Sequence, residues 1–84
     1  MVSISRSDAH RLLTTAGFAI VRSNPHAVYR HESGAVAILP IHHKDISPGM
    51  FSLLARAVKP VISSNTNLRA KVSRKFPNLA PHFA

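Results

Sequence analysis

The chain has 84 residues, 45% of them apolar, and sets eleven Lys and Arg against three acids (Asp8, Glu32, Asp45) for a formal charge of +8. That length holds one domain with a small core. The lack of cysteine excludes a disulfide framework, a thiolate nucleophile and a zinc–thiolate site. Such a charge imbalance calls for a polyanionic partner: nucleic acid first, an acidic protein second, an anionic membrane surface third. Met1 to Asp8 lack the apolar core of a signal peptide, and no apolar run approaches the roughly 20 residues that span a bilayer. The expectation is a soluble, cytoplasmic protein with no membrane partner.

Ala9, Leu12, Leu13 and Ala16 recur with helical period and predict a helix over residues 6–16. Ser5 with Asp8 three residues on resembles a capping box, and Gly17 stands where a left-handed residue would close the helix. Three strand-like runs follow: 18–22, 26–31 and 35–39. Ser23-Asn24-Pro25 and Glu32-Ser33-Gly34 break them. Connections this short favour antiparallel hairpins. Residues 40–46 read as a loop dense in charge and histidine. Ser47-Pro48 then signals a second helix, with Ser as N-cap and Pro at the first position. Met50, Phe51, Leu54, Ala57 and Val58 form its apolar stripe, and Pro60 is expected to limit it.

Beyond residue 60 the character changes. Ser63-Ser64-Asn65 is linker-like. Leu68, Val72 and Phe76 recur every four residues, interleaved with Arg69, Lys71, Arg74 and Lys75. This pattern predicts a short basic amphipathic helix ending before Pro77, to dock on the domain, order on a partner or fray. Residues 78–84 are expected to be loose. The third strand is apolar on both faces, Ala35, Ala37 and Leu39 on one and Val36 and Ile38 on the other. Something is therefore expected to cover the second face: the tail, a second copy of the chain, or a partner.

The order helix, three strands, helix on a small basic chain suggests the architecture of double-stranded-RNA-binding domains. Gly17-Phe18-Ala19-Ile20-Val21-Arg22, then His26-Ala27-Val28-Tyr29-Arg30-His31, then Leu39-Pro40-Ile41-His42, Lys44-Asp45-Ile46 and Pro48-Gly49 form an ordered series. Over residues 5–58 this series resembles the HicA family of toxin–antitoxin toxins. The resemblance implies an α+β fold: a single α-β-β-β-α domain over residues 1–60, its three-stranded antiparallel sheet carrying two helices on one face. Residues 61–84 would be a basic C-terminal extension. It also implies an mRNA interferase, a metal-independent endoribonuclease with no cofactor, acting on single-stranded mRNA and held by a HicB-like antitoxin. His26 lies where the family carries its catalytic histidine. Asn24-Pro25 stand where the family shows Gly-Ser, in a segment one residue shorter. Proline removes an amide N–H that would hold a phosphate.

The residue chemistry agrees with that expectation. RNA cleaves through its own 2′-OH when a group removes the hydroxyl proton, another protonates the leaving 5′-oxygen, and cations stabilise the phosphorane. An imidazole, with an ordinary pKa of about 6.5, suits the proton transfers. Arginine and lysine supply the charge. His26 is the candidate base or acid. Arg22 and Arg30 flank it, and His42 and Lys44 come from the loop after the third strand. Arg69, Lys71, Arg74 and Lys75 are candidate RNA contacts. Tyr29 falls opposite His26 by strand alternation and reads as a core or edge aromatic. His42 and His43 leave open a metal site shared with His26 or His31, but no further acids or cysteines complete a ligand set. A non-catalytic module that binds RNA or protein is the alternative function.

Overall fold

The structure, a computed structural model, describes residues 4–23, 26–40, 44–79 and 81. It is a small α+β domain. Its elements are β1 (Ile4–Ser5), α1 (Arg6–Thr15), β2 (Ala19–Arg22), β3 (Ala27–Arg30), β4 (Val36–Leu39), β5 (Asp45–Ile46), α2 (Pro48–Ser63) and α3 (Thr66–Lys75). β2, β3 and β4 form an antiparallel sheet in that order. β1 and β5 make a second, two-stranded antiparallel ladder. Strands of two residues carry no period, so no pattern of residues signals this pair.

Both ends of α1 follow from its residues. The Asp8 amide donates to Ser5 Oγ at 3.1 Å, which satisfies one amide the helix leaves without a partner. The reciprocal arm of a capping box does not form; the Asp8 carboxylate instead takes Arg11 at 3.1 Å. At the other end the Gly17 amide donates to the Thr14 carbonyl and the Phe18 amide to the Leu13 carbonyl. This is the Schellman arrangement, and Phe18 and Leu13 are both buried beneath it. Gly17 has φ +94, and a Cβ there would meet the His31 ring at 3.3 Å. Gly17→Ala is expected to lower stability by about 1–2 kcal/mol from the left-handed backbone alone, plus a cost for moving the ring. Gly34→Ala, at φ +96 in open space, should cost less, and urea melts of the two variants compare them directly.

The sheet has one covered and one bare face. Ala27, Tyr29, Ala37 and Leu39 point inward and are buried against the helices with Leu12, Leu13, Phe51, Leu54 and Val58. On the other side Val36 and Ile38 remain 47% and 49% exposed. β2 contains a bulge: Ile20 pairs with Tyr29 and Arg22 with Val28, so Val21 is an extra residue and lies exposed. Residues directly opposite one another share a face. The bulge therefore turns Arg22 onto the bare face, in a row with Val28 and Ile38.

Two expectations about the C-terminal half need correction. Pro60 does not limit α2, which continues to Ser63. An interior proline costs about 3 kcal/mol. Val61 and Ile62, both buried just beyond it, each return about 1.5–3 kcal/mol. Residues past 78 are not uniformly loose either, because Leu79 is buried and its amide donates to the Phe76 carbonyl at 3.0 Å. The predicted basic helix is present as α3, capped by Asn65, whose Oδ1 accepts from the Leu68 amide at 3.1 Å. It packs on α2 and α1, with Val72 and Phe76 buried and the Arg11 guanidinium 5.3 Å from the Phe76 ring centre. Among the described residues the tail thus docks on the helices and leaves the bare sheet face uncovered. No helix among them is long and apolar enough to cross a membrane.

Candidate functional site

His26 immediately precedes β3 and is exposed. The β3–β4 register, Ala27 opposite Leu39 and Val28 opposite Ile38, carries on to set His26 opposite Pro40 on the bare face. There it lines an open cleft of about 480 Å3 with Ile38, Pro40, Asp45, Ser47 and Met50. The cleft lies between the sheet and the start of α2. Ser47 caps that helix, its Oγ accepting from the Met50 amide at 3.2 Å. Pro48 has no N–H and the Met50 amide is taken by Ser47, so the first turn offers this wall the Gly49 amide and the partial positive charge of the helix end, which favours an anion.

Arg22 and Arg30 are exposed and occupy the same face. Arg22 sits opposite Val28, and Arg30 opposite Ala19 and Val36. His26 and the two arginines thus share one side of one sheet, but neither arginine is among the described residues lining the His26 cleft, and Arg30 stands at the far end of β3 from it. Lys44 is exposed immediately before β5, and its carbonyl accepts from the Arg6 amide at 2.7 Å. His42 lies outside the described residues, as do His43, Asn24 and Pro25. Arg69, Lys71, Arg74 and Lys75 are exposed on α3, whose packing is against the helices. They are not brought to the His26 cleft. Arg74 and Lys75 occupy the last turn, where cations oppose the helix dipole favourably.

The remaining histidines separate by role. His31 Nδ1 accepts from the Ser33 amide at 3.0 Å, and its ring lies 5.3 Å from that of Phe18, so it braces the β3–β4 turn against the core. Among the described residues no three His, Asp or Glu side chains gather to hold a metal ion. Tyr29 is inward and 3% exposed, as alternation predicts, and burial pushes its phenol above the ordinary value of 10.0 while the Arg6 charge pulls the other way. The contact that sequence reading missed is His10 Nδ1 to Tyr29 Oη, 2.6 Å, between α1 and β3. Its faint signal was the Arg6–His10 spacing of four, which puts both on one helix face. Asp45 and Ser47 in the His26 cleft were also missed as site residues, since only the fold brings α2 to the end of β3.

Comparison with protein families, with curated proteins and with solved structures gives no match to this chain. Functional argument therefore rests on the site itself.

Proposed function

We propose that this chain is an RNA-binding domain of HicA-like type, the toxin of a toxin–antitoxin pair, that cleaves mRNA without a metal. The observation that carries the reading is the exposed imidazole of His26 in a cleft beside the α2 N-terminus, on the sheet face that holds Arg22 and Arg30. In this mechanism a base removes the 2′-OH proton and the 2′-oxygen attacks the adjacent phosphorus. The bond to the 5′-oxygen breaks, and that oxygen takes up a proton. The products are a 2′,3′-cyclic phosphate and a 5′-hydroxyl. His26 serves a proton transfer, while Arg22 and the Gly49 amide at the positive end of α2 stabilise the phosphorane charge. The double-stranded-RNA-binding-domain likeness belongs to the same proposal, as does a role for residues 61–84 as an added basic surface.

The bare aliphatic face suits the second half of the pair. Val36 and Ile38 exposed beside two arginines match a HicB-like antitoxin that buries apolar area and supplies acids. A second copy of the chain on the same face is the competing occupant.

Incubating the purified protein with a single-stranded RNA in EDTA tests the nuclease reading: cyclic-phosphate ends should accumulate. Cleavage that needs an added divalent cation would count against it. For binding, Arg30→Ala is expected to weaken RNA affinity and to flatten the slope of log affinity against log salt by about 0.7, the value for one phosphate contact on a single strand. A fluorescence-anisotropy series across salt concentrations reads this out.

One observation favours a second reading, a module that binds RNA without cutting it. Asp45 shares the His26 cleft and repels a phosphate there. That reading predicts salt-dependent binding with intact RNA recovered.

A further inference from the structure

A second cleft, of about 420 Å3, opens on the covered side of the sheet between α1 and the β2–β3 hairpin. Its polar lining includes Arg6, Ser7, His10 and Arg11 from α1, Tyr29 from β3, and Ser23 just after β2. Ile20, 48% exposed, contributes apolar surface, with the fully buried Leu39 behind the wall. That volume lies within the range of small-ligand sites, which are apolar concavities with a few placed polar groups.

The polar groups are held, not scattered. Tyr29 is 3% exposed, and among the described residues its hydroxyl has His10 Nδ1 as its hydrogen-bond partner. A buried phenol must place its proton somewhere. When the phenol donates to Nδ1, the neutral imidazole carries its hydrogen on Nε2. Burial, which disfavours the phenolate, works in the same direction. His10 then presents an N–H donor toward solvent from a ring that cannot turn without breaking the 2.6 Å contact. Arg6 lies one turn away on the same helix face and close enough to act electrostatically on the phenol. Arg11, also on the rim, is engaged by Asp8 and by the Phe76 ring, so Arg6 is the cation left to a ligand. Among the described residues no carboxylate lines this cleft.

Donors on one side and aliphatic surface on the other suit a ligand with an anionic head and a flat apolar body. We propose that this cleft binds one nucleoside monophosphate unit, its phosphate on Arg6 and His10 and its base over Ile20. Tyr29 is a positioning residue, acting through His10. The unit comes either from a free nucleotide or from an RNA strand. The cleft lies on the opposite side of the sheet from the His26 site, since Ala27 lines the one and His26 the other. The inference does not require that the protein cleave RNA.

Titration of the full chain with 5′-AMP, followed by amide chemical shifts, tests it. Adenosine and inorganic phosphate serve as half-ligands. Saturable binding is expected, with both half-ligands at least about tenfold weaker, because a charged hydrogen bond contributes about 1.5–3 kcal/mol. Arg6→Gln and His10→Gln should each weaken 5′-AMP by about tenfold or more, and Tyr29→Phe by a few-fold, while thermal melts confirm that the variants remain folded. A pentanucleotide with a 5′-phosphate distinguishes the sources. If it displaces 5′-AMP and loses affinity in Arg6→Gln, the unit belongs to RNA; if it does not compete, the ligand is a free nucleotide. Unchanged affinity in Arg6→Gln and His10→Gln, or phosphate alone binding as well as 5′-AMP, overturns the proposal. His26→Ala should leave 5′-AMP binding intact, which separates this site from the nuclease reading.

Discussion

Replacing His26 by Ala is expected to reduce RNA cleavage by about 10²–10⁴, the contribution of a positioned general acid or base. The loss should appear in the cleavage rate and not in RNA affinity, because Arg22, Arg30 and the α2 N-terminus remain in place. Stability should change by no more than about 0.5 kcal/mol, since the side chain is exposed and has no packing to lose. Single-turnover kinetics with saturating protein, in EDTA, isolate the chemical step. Full cleavage by the variant would remove the nuclease reading and leave the binding module. In cells the same substitution should restore growth and mRNA integrity to bacteria that express the wild-type chain at a cost.

The largest stability effect is expected from Leu54→Ala. Leu54 is 1% exposed on the α2 face that packs against the sheet, beside Phe51 and Val58. Truncation there loses transfer free energy and leaves a cavity, about 2–5 kcal/mol in comparable sites. Small domains carry only about 5–15 kcal/mol in total. A domain of this size should therefore melt roughly 10 °C lower or more. Leu53, the adjacent residue, is 59% exposed, and Leu53→Ala should move the melting temperature little. Paired thermal melts of the two variants check the orientation of α2 directly. Equal shifts would mean that the helix is rotated from the position described.

The elements most legible in the sequence were those whose ends carry chemistry. Ser5 and Ser47 as N-caps, Pro48 at a first helical position and Gly17 at a helix end are each tied to a specific backbone need, and each holds its predicted place. The three strands of the main sheet were legible from alternation and turn residues. Pro60 misled because a local rule was set against a tertiary gain: the burial of Val61 and Ile62 keeps the chain helical through it. α3 was visible as a periodic pattern, but where it docks was not, since Val72 and Phe76 do not name their partners. The candidate site was legible as far as His26, Arg22 and Arg30, which lie on neighbouring strands. Asp45 and Ser47 entered it only through the packing of α2, and His10 met Tyr29 across nineteen residues of chain. Contacts of that kind leave no local pattern to read.

The single inserted residue in β2 sets the phase of the strand on either side of it. Strict alternation through Val21 would send Arg22 inward, because Ile20 faces in and Arg22 stands two residues on. With Val21 set aside from the ladder, Arg22 pairs with Val28 as if it followed Ile20 directly. Exchanging Val21 for another residue leaves that phase untouched. Deleting it would close the bulge and still leave Arg22 opposite Val28, so this position should tolerate removal as well as substitution. Its paired neighbours should not, because the loss of one residue there inverts the side chains beyond it.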